Sequence, residues 1–553
     1  MIAAARDRLT RALYLVTFAW VVLRTVSVGY RALLLLGLLF AWLLNSCGGA
    51  NGTPDPNDPN TLSVMAGSEV KDLEPLFPDI RKATGVSLAM TYSGTLEGAE
   101  AIDSGAETDA AWFASGHYLS LLPKAGPRIV AQQKIMLSPV IIGVKKSVAD
   151  RFGWTGSTSV TWKDIQAKAA DGSFHFAMTN PAASNSGLTA LIGVASALSG
   201  SSDSIDTGTI DKTALRGFFK GQTLTAGSSG FLADSYVRDQ DTVDGIVNYE
   251  SILMGLNAGG KLHEPLVLIY PNEGIVTADY PFMLLNANKR DAFDKVTNYL
   301  RTPDVQARIM RDTSRRPAIA GVPLDPRFGS QTLIELPFPA RLETIDGLIT
   351  AYLDEVRKPA SAVFVLDVSS SMEGERIDNL KATMKALTGT DNTITGRFAR
   401  FRAREAVTII TFAGEVVDQR EFTIDDTDPN GPDMTAIRDY IDGLTTFPAT
   451  AIYTGLEAAY ASVEAQQTSD ANRLYSIVLM TDGENNAGVD PDQFQKDYGG
   501  YEDAVRAVHV YPVLFGEGNK TAMSDIASLT GGTVFDATKS SLLTIFKQIR
   551  GYQ

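Results

Sequence analysis

The chain has 553 residues, of which 44% are hydrophobic, and its formal net charge at pH 7 is −15. That length permits two to four domains with cores of ordinary size. Residues 1–46 carry five Arg and one Asp, and without this net charge of +4 the remainder stands at −19. Nucleic acid and anionic membrane surfaces are therefore poor partners for the body of the protein.

The first 47 residues predict an export signal. Basic residues precede two apolar runs, 12–23 and 32–44, and the second run has the length of a signal-peptide core but is short for a membrane span. It ends in Leu44-Asn-Ser-Cys47, which resembles a bacterial lipobox. The resemblance implies that Cys47, the only cysteine, is lipidated and anchors the exported protein at the outer face of the cytoplasmic membrane. The alternatives are an uncleaved anchor and a cysteine buried by packing.

The doubled apolar run leaves two start sites open. Initiation at Val28 in place of Met1 would give a compact signal that still ends at Cys47. After the signal, residues 48–60 are dense in Gly, Pro and Asn and contain nothing to bury. We predict that this segment is a tether of ~20–40 Å that holds the next domain away from the membrane.

Small hydroxyl-bearing residues follow the predicted strands of region 61–335. Gly67-Ser68 comes after one strand and Ser93-Gly94-Thr95 after the next, each at the start of an amphipathic helix, and Ser115 follows a third strand. Helix starts of this kind hold anions or polar small molecules. The same residue types are also ordinary helix caps and turn residues. Their recurrence at several strand ends favours a ligand cleft.

The sequence motifs of this region resemble those of a class II extracellular solute-binding protein of the periplasmic type. The resemblance rests on Thr161-Trp162-Lys-Asp, Asn180-Pro-Ala-Ala-Ser184-Asn-Ser186-Gly, Asn248-Tyr249-Glu250 and Tyr270-Pro-Asn-Glu273-Gly. It implies a two-lobed fold that closes over a small polar or anionic solute. The ligand-binding residues it implies, together with the helix-start pattern, are Ser68, Ser93, Gly94, Thr95, Ser115, Ser184, Ser186 and Tyr249.

A single helix is predicted to connect this domain to the next. Apolar residues recur at helical spacing from Leu342 to Val356, and Lys358-Pro359 ends the pattern. We assign 336–359 to this connection and expect the helix to pack on one domain, so that the two domains are not freely hinged.

Polar residues follow two buried strands in the C-terminal third. Asp367-Val-Ser369-Ser-Ser371 comes directly after the run 362–366, and Thr481-Asp482-Gly follows the run 475–480. Thr450 opens an apolar-periodic helix between them. Strand ends are where open α/β sheets place their ligands, and small oxygen ligands suit a hard cation such as Mg²⁺. Asp and Ser before a helix are otherwise ordinary caps.

Residues 360–553 resemble a von Willebrand factor type A domain, whose metal-ion-dependent adhesion site combines D-x-S-x-S, a Thr and an Asp in a T-D-G turn. The resemblance implies that Asp367, Ser369, Ser371, Thr450 and Asp482 bind a divalent cation, Mg²⁺ in preference to Mn²⁺ or Ca²⁺. The chain departs from the commonest pattern because Pro448-Ala449, not Gly-Gly, precedes the Thr.

The rest of this region predicts alternating strands and helices. Such alternation indicates a doubly wound, mainly parallel sheet of the Rossmann-like type, covered on both faces. Further strands are expected at 406–412, 416–424 and 509–515, and helices at 375–387, 433–443, 453–466, 499–507 and 540–550.

Binding, not catalysis, is the expected activity. The sequence contains no G-x-S-x-G elbow, zinc signature or phosphate loop, and no base stands beside Ser369 and Ser371. The first hypothesis is a lipid-anchored surface protein that engages an acidic residue of a protein partner through its metal, with the solute-binding-like domain as a sensor or second binding surface. The alternative is the substrate receptor of an ABC-type importer. A chelatase-like component is a third possibility from the enzyme class.

Overall fold

The computed structural model describes residues 58–200, 205–329, 331–516, 518–538 and 540–553. The predicted export signal with Cys47, the alternative start at Val28 and most of the tether lie outside these residues. No helix in the described ranges is long and apolar enough to cross a membrane. The described residues form one compact unit.

The described strands form three sheets. In chain order they are β1 (Thr61–Gly67), β2 (Ser87–Ser93), β3 (Ala110–Trp112), β4 (Ala131–Lys134), β5 (Met136–Lys145), β6 (Phe176–Thr179), β7 (Gln222–Ala226), β8 (Gly245–Tyr249), β9 (Leu266–Ile269), β10 (Thr277–Ala278), β11 (Pro281–Leu284), β12 (Arg316–Pro317), β13 (Ala360–Asp367), β14 (Ala406–Phe412), β15 (Val416–Thr423), β16 (Leu474–Thr481), β17 (Val510–Leu514) and β18 (Phe535–Asp536).

Helices cover these sheets. In chain order they are α1 (Phe77–Thr84), α2 (Thr95–Asp103), α3 (His117–Leu121), α4 (Lys146–Phe152), α5 (Trp162–Ala170), α6 (Asn185–Ser199), α7 (Lys212–Lys220), α8 (Ser229–Arg238), α9 (Glu250–Ala258), α10 (Arg290–Leu300), α11 (Pro303–Thr313), α12 (Leu342–Ala351), α13 (Glu375–Lys385), α14 (Ile394–Ala399), α15 (Pro432–Asp442), α16 (Ile452–Ser469), α17 (Pro491–Tyr498), α18 (Asp503–Arg506), α19 (Lys520–Thr530) and α20 (Leu542–Ile549).

The first two sheets form two lobes. One sheet has the strand order β2-β1-β3-β11-β4, and the other has β10-β5-β8-β6-β7 with β9 and β12 also paired to β5. The chain passes from one sheet to the other between β4 and β5 and returns between β10 and β11. This arrangement confirms the predicted two-lobed α/β architecture, and we call the β1 sheet lobe one and the β5 sheet lobe two.

The third sheet has the order β15-β14-β13-β16-β17-β18, and all its pairs are parallel except β14 with β15. The strand order reverses between β13 and β16, which makes their carboxyl ends the topological switch point of a doubly wound sheet. Every residue of β13 is buried, as expected for a strand covered on both faces. The predicted mainly parallel sheet is confirmed.

Close packing places the start of α16 over this switch point. A Cβ added at Gly455 would lie 3.0 Å from Val365 Cγ1 and 3.1 Å from a ring carbon of Phe412. The missing side chain therefore lets α16 approach β13 and β14 closely. That approach fixes Thr450, which stands just before the helix.

The connecting helix contacts both neighbours. It runs from Leu342 to Ala351 and continues as a π-helical segment to Val356. Tyr352 Oη donates to Gln222 Oε1 of lobe two at 3.2 Å, and Arg402 of the third-sheet domain donates to Asp354 at 3.4 Å. These contacts hold the connection against both domains and not one alone.

The helix predicted over 499–507 is only the short α18, Asp503–Arg506. Another helix, α17, stands just before this region at Pro491–Tyr498, where the sequence analysis predicted none. Asp490 caps α17 by accepting from Gln493 N at 2.9 Å, with Pro491 at the first helical position, and Gly499-Gly500 ends the helix. The sequence prediction overlooked this Asp-Pro start signal.

Candidate functional site

Asp367 is the buried centre of the predicted metal site. It is the last residue of β13 and is fully buried. One carboxylate oxygen accepts from Ser369 N at 2.7 Å, and the other accepts from Thr481 Oγ1 at 2.5 Å. Thr481 is the last residue of β16, so this bond joins the two strand ends at the switch point.

The remaining predicted ligands lie beside it. Ser369 Oγ and Ser371 Oγ are 2.8 Å apart, and Ser371 Oγ donates to Asp482 Oδ1 at 2.7 Å. A Cβ added at Gly483 would lie 3.5 Å from Thr450 Oγ1 and 3.6 Å from Ser371 Oγ, so both hydroxyls face the same glycine. The structure therefore gathers the five oxygen-bearing side chains that the sequence singled out.

Backbone contacts hold Thr450 in place. Its N–H donates to Asn486 Oδ1 at 2.8 Å, and its carbonyl accepts from Asn486 N at 2.9 Å. Ala449, where the commonest pattern has glycine, adopts a left-handed backbone with φ of 64°. An alanine in this conformation is strained. The loop thus keeps the required geometry at a cost in free energy.

Sequence reasoning missed one cation in this site. The Arg376 guanidinium pairs with the Asp482 carboxylate and donates to the Ser371 carbonyl at 3.2 Å. It belongs to the first turn of α13, which begins just after the D-x-S-x-S loop. The available signal was a basic residue five positions after Ser371.

The donor set fits a hard divalent cation. Two carboxylates and three hydroxyls offer only oxygen, the ligand type that Mg²⁺ prefers. Burial raises the pKa of Asp367 above its usual value, more than the hydrogen bonds from Ser369 and Thr481 lower it. A bound cation would stabilise the charged form. Groups of three or more His, Cys, Asp or Glu suited to a metal do not occur in the described ranges, so any metal here depends on the hydroxyls.

A second candidate site lies between the two lobes. A cavity of about 280 Å³ is lined in lobe one by Ser68, Ser93 and Gly94, three of the predicted ligand-binding residues. Thr95, the next residue, is buried at the start of α2. Lobe two supplies Asn180 and its neighbours, and the third-sheet domain supplies residues of α14, α20 and the C-terminal turn.

The other predicted ligand-binding residues are buried in internal hydrogen bonds and do not line this cavity. Ser115 Oγ accepts from His117 N at 3.3 Å, Ser186 Oγ lies 3.1 Å from Ser184 Oγ and 2.8 Å from Ser229 Oγ, and Tyr249 Oη accepts from Asn185 at 3.0 Å. Their polar groups are occupied within the protein. A ligand contact for Ser115, Ser184, Ser186 and Tyr249 remains a prediction.

Comparisons with known protein families agree with the division of the chain into a two-lobed domain and a third-sheet domain. Residues 62–312 match the family described as bacterial extracellular solute-binding protein, and residues 362–548 match the von Willebrand factor type A domain. A search among curated proteins gives no match.

Solved periplasmic binding proteins are similar to about half of the chain. AfuA from Actinobacillus pleuropneumoniae, with fructose-6-phosphate bound, is 14% identical with a TM-score of 0.41, over 54% of this chain and 98% of AfuA. Apo ferric ion-binding protein A from Pasteurella haemolytica is 13% identical with a TM-score of 0.42, over 53% and 96%. The sulfate-binding protein SubI from Mycobacterium tuberculosis H37Rv is 18% identical with a TM-score of 0.38, over 52% and 96%. At this level of similarity their ligands carry no argument for this chain.

Proposed function

For a chain that combines a bacterial extracellular solute-binding domain with a von Willebrand factor type A domain, we propose divalent-metal-dependent binding of another protein. The observation that carries the proposal is the convergence of Asp367, Thr450 and Asp482 with the two serine hydroxyls at the switch point of the sheet. Asp367, Ser369, Ser371, Thr450 and Asp482 would hold the cation, Mg²⁺ in preference to Mn²⁺ or Ca²⁺. A bound divalent ion supplies a positive charge that attracts a carboxylate.

The expected partner presents one exposed Asp or Glu. Three neutral hydroxyls leave the site with fewer negative charges than an all-carboxylate site would have. A carboxylate from a partner protein would complete the coordination of the ion. The chain itself has a net charge of −15, so a highly acidic partner would be repelled. The acidic residue should therefore stand in a neutral or basic surface of a cell-envelope or extracellular protein.

The solute-binding domain is proposed as a sensor or second binding surface. The family match indicates an exported protein, and lipid attachment through Cys47 would place both domains outside the cytoplasmic membrane. Residues of the type A domain line part of the cavity between the lobes. Because the type A domain of the same chain forms this wall, the solute-binding domain is better suited to act as a sensor within this protein than to deliver solute to an importer. The predicted export signal argues against the chelatase-like alternative.

The test is a pull-down from envelope extract with and without a chelator. Partners recovered only when divalent metal is present are expected for the wild-type chain. Asp367→Ala should recover none of them and should take up no Mg²⁺ in calorimetry. Asp525→Ala, an exposed substitution in the same domain, is the matched control and should behave like wild type.

Two results would contradict the proposal. Identical partners with and without chelator would make any bound ion structural. Equal Mg²⁺ uptake by wild type and Asp367→Ala would place the metal elsewhere.

A further inference from the structure

A groove on the type A domain lies directly beside the candidate metal site. Its volume is about 550 Å³, and it is lined by β15, by α15 and by the loops that contain Val368 and Phe447. Val368 stands between the proposed ligands Asp367 and Ser369, and Phe447 stands three residues before Thr450. The groove and the candidate metal site therefore share two loops.

Hydrogen bonds join these two loops. Phe447 N–H donates to the Val368 carbonyl at 2.8 Å, and the Phe447 carbonyl accepts from Ser370 Oγ at 3.1 Å. Phe447 and Ser369 also form an isolated parallel β-bridge. The Phe447 backbone is therefore held at a fixed position beside the loop that supplies Ser369 and Ser371. A protein segment that places a carboxylate at the metal would come within reach of the groove.

Two large apolar side chains of the groove are exposed to solvent. Phe447 is 40% exposed and Val417 is 39% exposed, and no other large apolar side chain in the described part of the type A domain reaches this exposure. The register of β14 and β15 shifts at this point, which leaves Val417 without a partner in β14. Such a bulge re-aims a side chain. Neighbouring exposed apolar side chains indicate a contact surface for another molecule.

The rest of the apolar lining is already packed. Phe422 of β15 and Tyr440 of α15 have ring centroids 5.9 Å apart, and Leu444, which follows α15, is buried. An apolar side chain that enters the groove would therefore contact a preformed surface. Such a surface costs little ordering on binding.

The charged residues of the groove favour a basic side chain. Asp418, Arg420 and Asp439 line it, and their sum is one negative charge. Arg420 Nε is 3.4 Å from Asp418, and the guanidinium lies 4.9 Å from the centre of the Tyr440 ring, so this cation is already engaged. Asp439 forms no salt bridge with any residue that the structure describes. Asp439 is therefore open to a cation from a partner.

We propose that this groove binds the part of the protein partner that flanks its metal-binding carboxylate. That segment would carry a large apolar residue, which lies against Phe447 and Val417, and beyond it a Lys or Arg that pairs with Asp439. At ~3.3 Å per extended residue, the apolar residue should stand about one to four positions from the acidic one. A second copy of this chain suits the groove less well, because its net charge is −15. The inference rests on the proposed metal-dependent function and adds the composition of the partner segment.

The experiment uses fluorescein-labelled peptides on a glycine–serine background. One set carries a single Asp, a second set adds a Phe at each of about one to four positions before or after it, and a third set adds a Lys beyond the Phe. The full chain is titrated into each peptide with Mg²⁺ or with chelator, and fluorescence polarisation gives the affinity. We expect Phe to raise the Mg²⁺-dependent affinity by about tenfold in at least one arrangement, and Lys by a further two- to fivefold or so.

Variants locate the gain in affinity. Phe447→Ser should abolish the gain from Phe, and Asp439→Asn should abolish the gain from Lys, while both keep Mg²⁺ uptake and the affinity for the Asp-only peptide. Val417→Ser repeats the test on β15, away from the metal loops. Ile334→Ser and Asp525→Asn are the matched controls, since both residues are exposed outside the groove, and these variants should behave like wild type.

The outcomes separate this proposal from the metal-dependent function. The groove proposal alone is overturned if Asp peptides bind through the metal and Phe has no effect at any position. It is also overturned if the gain from Phe survives in both Phe447→Ser and Val417→Ser, or if no peptide binds; the chelator pull-down then decides the metal-dependent function by itself. Self-association of the chain in sedimentation that Phe447→Ser abolishes would assign the groove to a second copy and overturn the proposal.

Discussion

Arg376 gives the candidate metal site a cation of its own. Its guanidinium holds one oxygen of Asp482, a proposed ligand whose other oxygen accepts from Ser371. The arginine side chain is 37% exposed, so solvent weakens its charge but does not remove it. A divalent ion at this point has to compete with the guanidinium for Asp482.

We therefore predict that Arg376→Gln raises the affinity for Mg²⁺ by about two- to fivefold. The physical reason is the loss of a like charge beside the ion and the release of Asp482. Isothermal titration calorimetry measures the effect, and Arg376→Lys, which keeps the charge, is the control. Weaker Mg²⁺ binding by Arg376→Gln would mean that the guanidinium orients Asp482 and does not compete.

Ala449 has a strained backbone conformation in the loop before Thr450. Its φ of 64° costs an L-residue about 1–2 kcal/mol, whereas glycine adopts it freely. Glycine also raises the conformational entropy of the unfolded chain, which lowers the free energy of unfolding by about 0.5–1 kcal/mol. Ala449→Gly should therefore raise the free energy of unfolding by up to about 1 kcal/mol in urea denaturation.

Ala451→Gly is the matched control for that substitution. Ala451 has a φ of −114°, which needs no glycine. Ala451 is also fully buried, so this change should lower stability through the unfolded-state entropy and the loss of one buried methyl group. A loss of stability in Ala449→Gly of the same size would show that the left-handed backbone carries no strain.

At the scale of elements, one buried carboxylate ties α20 to the start of β14. Glu405 lies just before β14 and is 1% exposed. It accepts from Arg550 at 2.7 and 2.9 Å and pairs with Arg357, which follows the connecting helix. Three elements that are far apart in the chain therefore share one charge cluster.

Glu405→Gln should lower the free energy of unfolding by about 3–5 kcal/mol at pH 7, because it leaves buried guanidinium charge uncompensated. Burial alone would raise the pKa of Glu405, but Arg550 and Arg357 lower it below the usual 4.5. A carboxyl whose pKa is lower in the folded state stabilises above its unfolded pKa, and the contribution is lost as pH falls through the folded pKa. Urea denaturation of both proteins from pH 7 to pH 3 should show the difference between them shrinking below about pH 4.5. A constant difference would contradict the charged state of Glu405.

At the scale of the whole molecule, the chain is predicted to be anchored to the membrane by a lipid on its single cysteine, Cys47. Cys47→Ser should move the protein from the membrane fraction to the soluble fraction, because no helix in the described ranges can cross a membrane. Ser46→Ala is the neighbouring control and should stay with the membrane. Continued membrane association of Cys47→Ser would favour an uncleaved N-terminal helix.

The domain architecture and the candidate metal site could be predicted because their signals are local. Asp367, Ser369 and Ser371 follow one buried strand, and Asp482 follows another, so strand ends place them at one edge of a parallel sheet. The resemblance to the type A domain added Thr450 as a candidate ligand. The exact helix bounds around 491–506 were less accessible, since they depend on single cap and turn residues.

The cavity lined by both lobes and the type A domain was decided only by tertiary structure. The apolar pattern of 542–549 shows that one face of α20 is buried, but it does not say against which surface. The Ser and Gly residues at helix starts have the same local pattern, yet packing places Ser68 and Ser93 at the cavity and Ser186 among other hydroxyls. Glu97, Asn180 and Tyr552 meet because three domain surfaces bury one another. Burial of this kind depends on the shape of distant elements, which no periodicity along the chain records.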